Sequence, residues 1–184
     1  MEQDTQVIFD RNTVEFVTVA AEYCAFFERS EGMKRKAFVD ITLKILPLLY
    51  LKASMIPECE IQNDEASEDF VTEDDYEVMR LTIASILGEK DDYLEVFLPE
   101  MAYSDVPIKK CISEDLTDIY QDLKNFVSVF KLGFDQTMND SLALCKEHFE
   151  LFWGQTLVNT LGALHDVKYN VKDDEIDEND MLNE

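Results

Sequence analysis

Between positions 116 and 130 the apolar residues fall at Leu116, Ile119, Leu123, Phe126 and Phe130. Steps of three and four bring them to one face of an α-helix. The same spacing recurs at Phe38, Ile41, Ile45, Leu48 and Leu49, at Tyr76, Met79, Ile83 and Ile86, and at Leu142, Cys145, Phe149, Trp153, Leu157 and Leu164. No stretch of five or more residues alternates with period two, so no sheet is expected. The chain holds only five glycines and four prolines among 184 residues. Sheets and loop-rich folds use many turn residues, so this scarcity favours long helices with short connections. The expected fold is all-α: a single-domain helical bundle of about six helices over residues 1–171, followed by a disordered acidic C-terminal tail over 172–184.

Local signals place the elements. A first helix starts at Asn12, with Glu15 at capping-box spacing, and runs to Ser30. A second spans Met33 to Met55. It is apolar nearly all round and should lie at the centre, with the last helix, and kink at Pro47. Glu58 to Asp69 reads as a loop, and Thr72 caps a third helix ending at Gly88. A short fourth helix is expected over Asp92–Leu98, with Glu100–Cys111 irregular. Ser113 caps the fifth, which runs to Lys131, and the sixth runs from Asp135 to His165. Gly154 and Gly162 either weaken that last helix or allow close helix contact. Residues 172–184 hold seven acids and one base, with too little apolar surface to order them.

Charge narrows the function classes. Forty acids against sixteen bases give −24. Such a chain is repelled by nucleic-acid backbones and anionic lipid, so neither a nucleic-acid nor a membrane role is expected. A basic protein is the partner class that charge favours. Lys34, Arg35, Lys36, Lys44 and Lys52 make one basic segment, which the acidic loop that follows should neutralise. The first ten residues lack the basic and apolar parts of a signal peptide, and no apolar run approaches the length of a membrane span. A cytoplasmic protein is expected.

Chemistry-bearing motifs are few. Cys24, Cys59, Cys111 and Cys145 are dispersed, without the close pairs of a zinc site, and suit a reducing compartment. His148 directly follows Glu147, and Gly162 stands three before His165, so the Glu-x-x-His motif of carboxylate-bridged metal bundles is missing. His165 reads as a helix-end residue and Trp153 as core. No phosphate-binding glycine motif is present. No cofactor or metal is expected. The candidate interaction face is Asp115, Asp118, Tyr120 and Asp122, whose acids stand at i, i+3 and i+7 on one helix. As exposed residues, those aspartates should change stability by roughly a few tenths of a kcal/mol when replaced by asparagine.

The run from Ser113 to Phe126, together with Phe70 to Tyr76, Tyr93 to Phe97, Trp153 to Gln155 and Ala163 to His165, resembles an uncharacterised bacterial family of small acidic all-helical proteins, a domain of unknown function. The likeness covers about residues 12–170. It implies the all-helical fold and a bacterial setting, and brings no activity, cofactor or site residue. The expected function is a non-enzymatic interaction module with an acidic surface. The alternative is a small-ligand-binding or hydrolytic bundle using the carboxylates of the fifth helix. Convergence of Asp115, Asp118, Asp122 and His165 on a concavity would favour the alternative.

Overall fold

The computed structural model describes residues 7–63, 69–95 and 107–170. Its elements are α1 (Arg11–Glu28), α2 (Arg35–Ala53), α3 (Glu73–Leu87), β1 (Asp92–Glu95), β2 (Ile108–Cys111), α4 (Ile112–Phe130), α5 (Asp135–His148) and α6 (Gly154–Tyr169). The chain is a mostly helical single domain. The tail expected over 172–184 and the end of the expected fourth helix lie outside the described residues. No described helix is long and apolar enough to cross a membrane.

The hub is α4, which packs against α1, α3, α5 and α6. Its whole apolar stripe turns inward, with Leu116, Ile119 and Leu123 fully buried. The expectation that α2 would be central is corrected. α2 packs on α1 and α6 and leaves Leu48 and Leu51 about half exposed. Being apolar all round reflected two faces, of which the bundle covers one. α2 runs unbroken through Pro47, which faces solvent. The other expected central helix does hold its place: Leu142, Cys145, Phe149, Trp153, Leu157 and Leu164 are all buried.

That stripe stays in register across a π turn at Phe149–Trp153, which joins α5 to α6. There the Gly154 amide reaches back to the Phe149 carbonyl. A Cβ on Gly154 would stand 2.4 Å from that oxygen, so the glycine is needed for the turn itself. Gly162 has nothing within 4 Å of such a Cβ, so it mediates no close helix contact.

Two caps differ from expectation. Asp10, not Asn12, caps α1, its carboxylate accepting the Asn12 amide at 2.8 Å. α4 begins one residue before Ser113. Asp91 caps it from outside, accepting the Ser113 amide at 2.7 Å and the Ser113 hydroxyl at 2.6 Å. Thr72 caps α3 as expected, and Asp75 makes the cap a reciprocal box.

The main correction is the hairpin. Asp92–Glu95 is a strand rather than a helix, paired antiparallel with Ile108–Cys111 in the register Tyr93↔Lys110 and Glu95↔Ile108. Alternation sends Tyr93 and Glu95 toward the helices and leaves Asp92 and Leu94 exposed. The inward positions carry polar groups, held by hydrogen bonds rather than apolar burial, so hydropathy gives no period-two signal.

The following loop is not shown to neutralise the basic segment. Lys52 pairs with Glu15 of α1 at 2.5 Å, while Asp40, the acid within α2, pairs outward with Lys168 of α6 at 2.5 Å. The acidic stretch after α2 instead gives Glu58 to Lys146 of α5, at 2.7 Å.

Candidate functional site

The expected interaction face does not exist as one surface. Its residues project from α4, but α4 is covered by different neighbours along its length, and each side chain meets another element. Asp115 is 1% exposed. Tyr93 of β1 donates its hydroxyl to Asp115 Oδ2 at 2.5 Å, and Thr160 Oγ1 of α6 lies 3.0 Å from the same oxygen. Lys110 Nζ of β2 approaches Oδ1 at 3.5 Å. One carboxylate thus pins both strands and α6 to the central helix. Burial pushes its pKa above the usual carboxylate range, against the pull of Tyr93 and Lys110. The expectation that Asp115 is an exposed, structurally neutral residue is corrected.

Asp118 is exposed and accepts the Tyr76 hydroxyl of α3 at 2.7 Å. Asp122 is half-buried, with Oδ1 2.7 Å from His148 Nδ1 of α5. Burial raises the Asp122 pKa, and the neighbouring imidazole opposes that. Tyr120 is buried and donates to Glu28 Oε1 of α1 at 3.0 Å, an oxygen that Lys124 also meets at 2.5 Å. His165 is exposed and packs its ring on Tyr169 at 4.7 Å. Trp153 is core, 2% exposed and 4.7 Å from the Phe149 ring. Among the described residues no group of three His, Cys, Asp or Glu is placed to hold a metal ion.

Two grooves flank α4. The first, about 470 Å³, lies between the end of α1, α3 and α4. Phe27, Val71 and Met79 form its apolar bed, with Phe70 and Val78 exposed along it. Glu28, Glu31, Asp74 and Asp75 rim it, and the single lysine among its described lining residues, Lys124, is paired with Glu28. Tyr120 stands in the wall, so one residue of the expected face does line a concavity.

The second groove, about 490 Å³, runs between β1 and α6. Leu94, Val158, Ala163 and Val167 supply apolar wall, and Asp92, Glu95 and Asp166 supply carboxylates. Glu95 and Asn159, both nearly buried, are joined by a bond from Asn159 Nδ2 to Glu95 Oε1 at 2.8 Å. The sequence reading missed Tyr93, Glu95, Lys110, Asn159 and Thr160. Tyr93 and Glu95 fell in the string taken for a helix, and nothing local ties Asp115 to Thr160, 45 residues away.

The chain matches the profile of a domain of unknown function, DUF5063, over residues 7–170. It belongs to that family. A crystal structure of a protein of Bacteroides fragilis, solved as a structural genomics target, is 64% identical, with a TM-score of 0.79. The match covers 89% of this chain and 99% of that one. A search of the curated proteins found no match. The expected family is therefore the right one. A relative this similar and almost wholly covered supports the helical fold independently, and the family description assigns no chemistry to either groove.

Proposed function

We propose that this chain is a non-enzymatic cytoplasmic interaction module that holds a basic, amphipathic segment of a protein partner in the cleft between α1, α3 and α4. The observation that carries this reading is the cleft's asymmetry. Four carboxylates rim an apolar bed, and the one lysine among its described lining residues is already paired. A partner helix with apolar residues on one face would cover Phe70 and Val78, and its lysines or arginines would meet Glu31 and Asp74. Tyr120 offers an amphipathic ring at the cleft wall, of the kind enriched at binding hot spots. The net charge of −24 adds long-range steering of a basic partner.

The test is a pull-down from native lysate, comparing wild type with the double variant Glu31→Lys, Asp74→Lys and with Val78→Ser. All three residues are exposed, so the fold should persist. A basic protein captured by wild type should be lost from the charge-reversed variant, with association slowed most at low salt. An unchanged set of captured proteins removes the cleft from consideration. The second reading, ligand binding through the α4 carboxylates, finds support only at Asp115, which holds the hairpin that walls the other groove.

A further inference from the structure

The outer face of α2 carries a pattern of its own, and none of the described residues that line the cleft proposed above lies on this helix. α2 packs on α1 and α6 and buries Phe38, Thr42, Leu46 and Leu49. On its other side Ala37, Ile41, Lys44, Leu48 and Leu51 are exposed, Leu51 at 52%. These positions follow one another at steps of four, three, four and three. That is the 3.5-residue repeat of a coiled-coil seam. A solvated helix face carries charged and polar residues at such positions. Here only Lys44 is charged, and the apolar residues form one line about 20 Å long at the rise of a helix. Single exposed apolar residues are ordinary, but a continuous line of them marks a surface that another element covers.

Charge says which kind of helix fits. Lys44 stands in the seam, and Lys36 stands beside its start at Ala37. The one acid on α2, Asp40, is held by Lys168 of α6 at 2.5 Å and meets Lys36 and Lys44 only through space. Both lysines are exposed and make no ion pair with a described residue. A second copy of α2 is a poor occupant, because it would set lysine against lysine and bring no unpaired acid. A lysine at a single seam position fixes the register of a helix pair, and a carboxylate on the partner satisfies it best. The surplus of acids elsewhere on the chain repels an acidic helix, so charge confines one to this face. We infer that the outer face of α2 is a docking site for an acidic amphipathic helix of another protein, which continues the heptad seam and sets carboxylates beside Lys44 and Lys36.

The probe is a fluorescein-labelled synthetic peptide of about three heptads, with leucine at both seam positions, glutamate at the flanking positions and alanine elsewhere. Repulsion among its glutamates opposes its own pairing. Fluorescence anisotropy with the full chain should show saturable binding. Lys44→Glu should weaken it by about tenfold or more, and so should the double variant Leu48→Ser, Leu51→Ser. The same peptide with glutamine in place of glutamate should bind about tenfold more weakly. Lys131→Glu, an equal change of charge at an exposed position after α4, should leave binding unchanged. The substituted side chains all face solvent, and circular dichroism checks that each variant folds. The leucine variant alters no charge, so it decides the matter if Lys44→Glu fails to fold. Absence of saturable binding overturns the proposal. So does an equal loss in Lys131→Glu and Lys44→Glu, which would report net charge alone, or full binding by the leucine variant. A chain that sediments by itself as a dimer, and as a monomer once both leucines are replaced, gives the face to a second copy and overturns it as well.

Discussion

Asp115 holds three elements through one carboxylate, so its removal should cost far more than that of its neighbours on α4. Asp115→Ala strands the Tyr93 hydroxyl and opens the contact with Lys110, at an expected cost of about 2–3 kcal/mol. Asp118→Asn, at an exposed position, should stay within about 0.5 kcal/mol. Urea denaturation of the two variants checks the contrast; equal effects would mean that the hairpin is held by something else. The pH dependence has a definite sign. Burial raises the folded pKa of Asp115 above its unfolded value, so the folded state holds the proton more tightly in the window that opens upward from an ordinary aspartate pKa. The contribution of this group to stability is therefore full below that window and is lost as pH rises through the folded pKa. Asp115→Asn, which cannot ionise, should gain on wild type as pH rises above the ordinary aspartate range. A gap that moves the other way would show that the hydrogen bonds of the ionised form outweigh its desolvation.

The last helical stretch shows why equal residues are not equal at the level of an element. Gly154 and Gly162 sit on the same helix and look alike as propensity defects. Gly154→Ala would drive a Cβ onto the Phe149 carbonyl oxygen, 2.4 Å away, and onto the Phe149 ring, 2.9 Å away. The π turn must then shift, at about 1–3 kcal/mol. Gly162→Ala meets open space and gains the helical preference of alanine, up to about 1 kcal/mol. Thermal melts of the two variants should move in opposite directions. The hairpin is the other case. Its strands of four residues are held on the helices by Asp115, by the Asp91 cap and by the Glu95–Asn159 bond, contacts that join residues 22 to 64 positions apart in the sequence.

For the molecule as a whole, the balance of forty acids and sixteen bases dominates. The ion pairs among the described residues are mostly at the surface, as with Arg11–Glu15 and Lys109–Asp92, and such pairs contribute little. Repulsion among the surplus acids should outweigh them, and salt screens it over roughly 8 Å at physiological strength. The melting temperature should therefore rise between low and moderate sodium chloride. A fall would assign the larger role to the pairs that join separate elements, such as Lys52–Glu15 and Lys168–Asp40.

The helices were legible because their signals are local. The stripe from Leu116 to Phe130, the Thr72 cap and the run from Leu142 to Leu164 each lie within one stretch of chain; the two stripes name their buried faces and the cap names a helix start. What covers those faces is not local. Leu116 and Phe38 carry the same kind of pattern, yet α4 is enclosed by four helices while α2 keeps an outer side in water. Asp115, Asp118 and Asp122 share a direction on α4, but one is buried under a hairpin, one is exposed beside Tyr76 and one meets His148. Side-chain direction follows from the 3.6-residue repeat and was set by the sequence alone. Burial, charge partners and both grooves depend on which distant segments arrive opposite, and packing alone decided them.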